Sequence, residues 1–461
     1  MNAASEFLRR SIDKSADLTH RSIIRKNIDH YDAAVLRGRA RFADWEAARE
    51  RCAAIKHEAI ENLDQLLIEF ERKILARGGQ VFWAENSEEA RDYIANLASD
   101  RGVKRVVKSK SMVTEEIHLT PALEKLGCEV IETDLGEYIV QLRNEPPYHI
   151  VTPAMHLTRV QIAELFREKL EGVTSDEPTE LVAAARRKLR AAFFSAEMGI
   201  SGANFLVADA GLVAISTNEG NGRLCTTLPK IHVVVTGIEK VIPRMRDLGI
   251  LWPTLAAAGT GQSVTTYNTL ISGPRTAEEI DGPEEFHIVL VDNGRSELLA
   301  DLEQRDALRC IRCGACLNAC PVYRNIGGHT YATTYQGPIG SVLTPHFRGH
   351  EFDHLSYASS LCGNCTSVCP VKIDLHHHLL QNRRNSVQAG DHPRLERIGF
   401  HLWRWMMMSS SRFSRLARLG KIASRLGKAV GLDPLKPWTA YRASPDLPKQ
   451  SFRDLWRNGR V

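Results

Sequence analysis

Seven of the ten cysteines in this 461-residue chain lie between Cys310 and Cys369, a span of 60 residues. The first four form the run Cys310-x2-Cys313-x2-Cys316-x3-Cys320-Pro321. Thiolates this closely spaced wrap the corners of one iron–sulfur cubane. The fourth, held off by the longer gap, reaches a second cluster, which is the bacterial ferredoxin pattern with its trailing proline. Gly314 lets the chain turn tightly between ligands. Zinc sites usually pair two short Cys hooks and account poorly for a four-cysteine run that closes on Cys-Pro.

A second motif follows, Cys362-x2-Cys365-x3-Cys369-Pro370. Aligned on its proline it holds the last three cysteines, and Ser359 falls at the first-ligand position. The crossed ferredoxin arrangement gives Cys310, Cys313, Cys316 and Cys369 to a first [4Fe–4S] cluster and leaves Cys320, Cys362 and Cys365 for a second. The second is either a [3Fe–4S] cluster, which needs three protein ligands, or a [4Fe–4S] cluster with a non-Cys fourth ligand. Ser359, water, a substrate oxygen or a partner's residue would serve. An open iron there would be labile to oxygen and able to bind substrate, whereas a closed cluster would serve electron transfer alone. His376, His377 and His378 come next, but neighbours on a helix point in different directions, so they read as a helix start and not as metal ligands.

Ligands need a scaffold. The 41 residues from Pro321 to Leu361 contain Gly327-Gly328, Gly337-Pro338 and helical patterns, which suits a helix-rich two-cluster module over 297–385. Residues 1–75 read as helix, with Ile60, Leu63, Leu67, Phe70 and Ile74 at helical spacing and Gly78-Gly79 as the stop. Over 76–296 strands alternate with helices. Strands are expected at Gln80–Ala84, Lys104–Lys108, Cys128–Glu132, Phe205–Ala208, Leu212–Ile215, Ile231–Val235 and Phe286–Val291, and helices at Glu88–Ala98, Glu115–Leu126 and Thr179–Met198. That alternation predicts an α/β domain with a largely parallel sheet.

Within this domain two segments are candidates for anion binding. Lys108-Ser109-Lys110-Ser111 precedes a helix, whose N-terminal amides attract a carboxylate or phosphate; the same residues also suit an ordinary capped helix. Asn218-Glu219-Gly220-Asn221-Gly222-Arg223 is either a cleft loop placing Glu219 and Arg223 or a plain Asn-Gly hairpin. Gly259-Thr260-Gly261-Gln262 lacks the third glycine of a dinucleotide fingerprint, and no Walker A run occurs. With no flavin or nicotinamide site in the sequence, a hydride centre would have to come from another chain.

Hydrophobic residues make up 43% and charged residues 25%, ordinary globular usage that excludes a disordered or collagen-like chain. No apolar run reaches the roughly 18 residues of a membrane span. Met1 to Arg10 lacks the apolar core of a secretory signal, so the expectation is a cytoplasmic protein with reduced thiols, including the scattered Cys52, Cys128 and Cys225.

Charge is divided unevenly. From Arg383 to Val461 there are 17 Lys and Arg against 5 Asp and Glu, a balance of +12; the whole chain carries +5, which leaves −7 for the rest. In this 386–461 tail Phe413, Leu416, Leu419, Ile422, Leu426 and Val430 alternate with Arg412, Arg415, Arg418, Lys421, Arg425 and Lys428 as a basic amphipathic helix. Trp403, Trp405 and Met406 to Met408 lie just upstream, and Pro434, Pro437, Pro445 and Pro448 break the end. Such a helix rests on an anionic membrane or acidic partner, or packs on the protein with a solvated face. Without a recognised binding motif, nucleic acid is not expected.

The stretch from Lys108 to Ile117, the stretch from Glu132 to Tyr138 and the stretch from Ala208 to Arg223 resemble the LUD domain of lactate utilization proteins. The cysteine block matches the same proteins in order and spacing, and Leu435–Trp438 with Gln450–Asp454 resembles their C-terminal region. The resemblance, covering nearly the whole chain, is to the lactate utilization protein B family. It implies a LUD fold similar to the ribose-phosphate isomerase and CoA-transferase group, two iron–sulfur clusters, and a role in oxidising L-lactate to pyruvate. It also implies two partners, a cysteine-rich subunit and a small LUD-domain subunit, and carries over no catalytic residue. The expected function is an electron-transfer subunit delivering electrons to a quinone or other carrier, at the inner face of the membrane if the tail docks there. The alternatives are a LUD-domain enzyme or sensor for a small anionic metabolite with the clusters as a redox switch, and an assembly scaffold.

Overall fold

The computed structural model describes residues 2–390, 394–429, 448 and 450–459. The chain divides into two units, residues 1–385 and 386–461.

In the first unit ten strands form two sheets. They are β1 (Gln80–Ala84), β2 (Arg105–Lys108), β3 (Glu129–Glu132), β4 (Met198–Ser201), β5 (Phe205–Val207), β6 (Leu212–Thr217), β7 (Ile231–Gly237), β8 (Val241–Ile242), β9 (Tyr267–Ile271) and β10 (Glu285–Val291). The main sheet has the order β1-β10-β7-β4-β2-β3 and is parallel throughout. A parallel sheet covered on both faces needs strands that are apolar on both sides. All seven residues of β7 are buried, as are six of seven in β10. Successive residues of β10 serve opposite layers. Val289 and Val291 meet Ala90, Ile94 and Leu97 of the helix Ser87–Asp100; Phe286, Ile288 and Leu290 meet Leu67, Phe70 and Ile74 of the helix Leu63–Leu75. The smaller sheet runs β8-β5-β6-β9, with β5–β6 and β6–β9 antiparallel and β5–β8 parallel.

Three expectations change. The predicted helix Glu115–Leu126 is two helices, Met112–Glu116 and Leu119–Lys125, parted where His118 takes a left-handed φ of 52°. The helix predicted over Thr179–Met198 stops at Ser195, because Met198 opens β4, which is inserted between β2 and β7. Asn218–Arg223 is not a hairpin: a helix starts at Asn221 and runs to Thr227.

The N-terminal helices Leu18–Arg39 and Trp45–Glu61 bury Ile24, Ile28, Cys52 and Ile55 in the core that also contains Phe205, Leu251, Cys313, Cys316 and Leu343. The segments separated in the sequence at 75 and 296 thus share one interior. The 41 residues between the cysteine motifs fold as helices, chiefly Pro321–Ile326 and Gly337–Arg348, and the three histidines lie on the helix Leu375–Ala389.

The second unit contains the helices Arg394–Met407, Ser410–Ala429 and Phe452–Arg457. Val430, Pro434, Pro437, Pro445 and the Leu435–Trp438 piece lie outside the described residues. Among the described residues no helix is long and apolar enough to cross a membrane.

Candidate metal centre

Both cysteine motifs are built on the same backbone device. In the first, Arg312 and Gly314 have φ of 59° and 77°, and a short helix Ala315–Ala319 leads into Cys320. In the second, Leu361 and Gly363 have φ of 54° and 77°, and the helix Asn364–Val368 leads into Cys369. Left-handed turns point consecutive amides inward, and glycine makes the second of each pair unstrained. The match extends to the first residue of each motif. The Arg312 N–H donates to Cys310 Sγ at 3.4 Å, and the Leu361 N–H donates to Ser359 Oγ at 3.1 Å. Two contacts tie the loops down. Asn364 Nδ2 donates to the Ala319 carbonyl at 2.9 Å, and Arg49 holds the Cys369 carbonyl through Nε and Nη2 at 3.0 and 2.8 Å.

Electrostatics sorts the thiols into two neighbourhoods. Burial raises the Cys316 thiol pKa, and Cys310, Cys313 and Cys369 raise it further. Burial pushes Cys365 up to about 11, with Cys320 and Cys362 adding to the effect. The groups perturbing one another are therefore Cys310, Cys313, Cys316 and Cys369 on one side and Cys320, Cys362 and Cys365 on the other. The first neighbourhood is enclosed: Cys313, Cys316 and Cys369 are buried and Cys310 half-buried. The second opens outward at Cys362, which is exposed and whose pKa is lowered by the Asn364 amide.

The donor set fits a multinuclear centre better than one zinc ion. Tetrahedral zinc with Zn–S of about 2.3 Å requires sulfurs within roughly 4 Å of one another. Among the described residues only Glu145, His156 and His329 bring three candidate ligand atoms within 4.8 Å, so no three cysteine sulfurs are that close. Buried thiols resist ionising, and a bound metal supplies the charge that makes them thiolates. Cations surround the enclosed set: Lys56, Lys240 and Arg312 feel Cys310, and Arg39 and Arg49 act on Cys313 and Cys369.

A buried ion network joins this loop to the parallel sheet. Arg295, fully buried, pairs with Glu116 at 2.7 Å and with Glu239 at 2.6 Å. Arg312 reaches Glu239 at 3.2 Å, and Tyr335 donates to Glu116 at 2.7 Å. Against the cost of burial, Arg295 and Arg312 hold the Glu239 carboxyl down to about 2.

Beside the enclosed thiols, the carboxyl ends of β2, β3, β4 and β7 open onto a cavity of about 760 Å³, the end of an α/β sheet where ligands bind. Lys110, Asp134, Glu219 and Lys240 line it from the sheet side, and Arg312 and Cys313 from the cysteine loop. Of the anion-binding candidates, Lys110 and Glu219 meet here. Lys110 Nζ donates to the Val151 carbonyl at 2.6 Å, and Glu219 accepts the Leu135 amide at 3.3 Å. Lys108 does not join them. It is buried between Glu132 at 2.7 Å and Glu115 at 3.0 Å; desolvation alone would lower its pKa, but these carboxylates outweigh it. Arg223 is exposed, stacked over Tyr267 at 5.8 Å. The sequence reading missed Glu116, Glu239, Lys240 and Arg295. The one available signal was the charged Glu239-Lys240 pair inside the apolar run from Ile231 to Ile242.

Comparison with known proteins places three family descriptions along the chain: a LUD domain over residues 67–291, a 4Fe-4S dicluster domain over 306–373, and the C-terminal region of lactate utilisation protein B over 376–461. Lactate utilization protein B of Bacillus cytotoxicus is 44% identical over 96% of both chains. Lactate utilization protein B 2 of Bacillus mycoides is 43% identical over 97% of this chain and 96% of its own. A solved DUF162 family protein from Deinococcus radiodurans aligns with 50% of this chain and 98% of its own at 13% identity, with a TM-score of 0.29.

Proposed function

The chain belongs to the lactate utilization protein B family, and from that premise we propose that it is the iron–sulfur electron-transfer subunit of a multi-subunit complex. The complex oxidises L-lactate to pyruvate and passes electrons through two clusters to a quinone or other carrier. Its other members are a cysteine-rich subunit and a small LUD-domain subunit. The observation that carries this reading is the sorting of seven thiols into one enclosed and one surface-facing neighbourhood, an inner and an outer station on one chain.

Cys310, Cys313, Cys316 and Cys369 hold the first, a [4Fe–4S] cluster; Cys320, Cys362 and Cys365 hold the second. Ser359 supplies the fourth ligand of the second, making it [4Fe–4S] and not [3Fe–4S]. What supports this is the shared amide contact, Leu361 to Ser359 as Arg312 to Cys310. The sheet order and its carboxyl-edge cavity support a LUD fold akin to the ribose-phosphate isomerase and CoA-transferase group. The basic helix Ser410–Ala429 exposes Leu419, Ile422 and Leu426 beside its arginines, which supports peripheral docking of a cytoplasmic protein at an anionic membrane.

Anaerobic purification tests the reading. The protein should be brown, hold about eight irons and show two reduced [4Fe–4S] signals by EPR. Colourless, zinc-loaded protein would overturn it.

A further inference from the structure

Lys240 lines the carboxyl-edge cavity and meets the negative charge of Glu239 and Cys310 only through space. It is 6% exposed, and among the described residues its ammonium makes no hydrogen bond or ion pair. The other buried lysines are satisfied. Lys56 Nζ donates to the carbonyls of Glu239 and Val241 at 2.6 and 3.2 Å, and Lys108 is paired with two glutamates. The acid next to Lys240 is already taken, since Glu239 gives one oxygen to Arg295 and the other to Arg312. A largely buried side chain whose ammonium makes no hydrogen bond within the described residues and faces a cavity offers its donors to an anion there.

The rest of the cavity is suited to completing it. Lys110 uses one of its ammonium protons on Val151 and keeps the others. Ser111, Asn204 and Ser216 add neutral polar groups, and Glu219 adds an acceptor. A volume of about 760 Å³ lies within the range for small-molecule sites and exceeds what a single inorganic anion fills.

We propose that this cavity binds a small hydroxylated organic anion. Its carboxylate or phosphate sits on Lys240 with help from Lys110, its hydroxyls on Glu219 and the neutral groups, and its inner end against the loop of Cys313. Hydroxy-carboxylates and sugar phosphates share that chemistry. The proposal adds to the electron-carrier reading and rests on it only for the spectroscopic arm of the test.

The test is isothermal titration of the full-length, anaerobically purified chain with L-lactate and, separately, ribose 5-phosphate. One of the two should bind, and which one identifies the anionic group. Lys240→Met should weaken binding by about tenfold or more, the loss expected of one charge-assisted contact, and Lys240→Arg should restore part of it. Lys230→Met, a surface change outside the cavity, should leave affinity unchanged. Lys240→Met should also stay folded and keep its iron, because Lys240 makes no hydrogen bond or ion pair to any described residue. Binding should shift the EPR lines of the cluster on Cys313 and leave the other cluster unmoved. Failure of both anions to bind at millimolar concentration overturns the proposal. So does a Lys240→Met chain that binds as the native one does while its cluster potential changes, since Lys240 would then serve the cluster. Cluster-free protein that still binds the anion would overturn the electron-carrier reading and leave this one standing; a two-cluster protein that takes neither anion does the reverse.

Discussion

Ser359 Oγ accepts the Leu361 amide at 3.1 Å, and so stands in the second loop where a sulfur stands in the first. Replacing Ser359 with Ala should leave that centre three ligands. Oxidised Ser359→Ala protein should show a [3Fe–4S] EPR signal and about seven irons, against about eight in the native chain. Ser359→Cys should keep about eight and lack the signal. A [3Fe–4S] signal already present in native protein prepared without air would remove Ser359 from the ligand set.

Cys313 belongs to the enclosed thiols and lines the cavity as well. Cys313→Ser should lower the iron content by about four while the circular dichroism of the parallel sheet persists. Collapse of the whole spectrum would make the first cluster structural.

Arg295 is completely buried between two carboxylates. Arg295→Met removes the cation that Glu116 and Glu239 share, leaving Glu239 to Arg312 and Glu116 to Tyr335 and Asn293, and breaking a buried pair in this way costs about 3–5 kcal/mol, readable as a lower denaturation midpoint. The network also has a pH signature. Glu239 titrates at about 2 in the fold against an ordinary 4.5, so the stability it contributes is complete above 4.5 and lost as pH falls toward 2. Glu239→Gln should flatten that part of the acid unfolding curve; an unchanged curve would refute the assignment.

Glu137 presents the opposite sign. It is 2% exposed, its Oε1 has no partner among the described residues, and burial followed by repulsion from Glu132 raises its pKa well above 4.5. A carboxyl whose pKa rises on folding lowers stability progressively once pH exceeds its unfolded value. Glu137→Gln should therefore melt higher than the native chain at pH 8 and alike at pH 4, in parallel thermal scans.

The basic helix should carry the chain to vesicles containing anionic lipid at low salt. Release is expected near 1 M salt, where the screening length falls to about 3 Å. Changing Arg412, Arg415 and Arg418 to Glu should abolish co-sedimentation. Equal binding to neutral vesicles would refute the electrostatic part.

What could be read in advance follows from the range of the interactions. The cysteine motifs are local, and their spacing survives in the fold as two copies of one left-handed turn. Strands such as Ile231–Gly237 stood out because an inner strand of a parallel sheet is apolar on both faces. Met198–Ser201 did not, because four residues ending in Gly-Ile-Ser have neither alternation nor β-branched density, and only insertion between β2 and β7 makes them a strand. The candidate site was half legible for the same reason. Lys110 and Glu219 lie in polar segments that invite attention, whereas Lys240 is placed by β7 against a loop some 70 residues further on, as Glu239 meeting Arg312 attests.

The exposed Cys362 sets a clock on the protein. Dioxygen, peroxide and chelators arrive from outside, and they meet the exposed Cys362 before the buried Cys313, Cys316 and Cys369. Ageing in air therefore has an order. If the chain carries electrons as proposed, a preparation that has lost half its iron should keep its inner centre, still take up electrons and fail to hand them on.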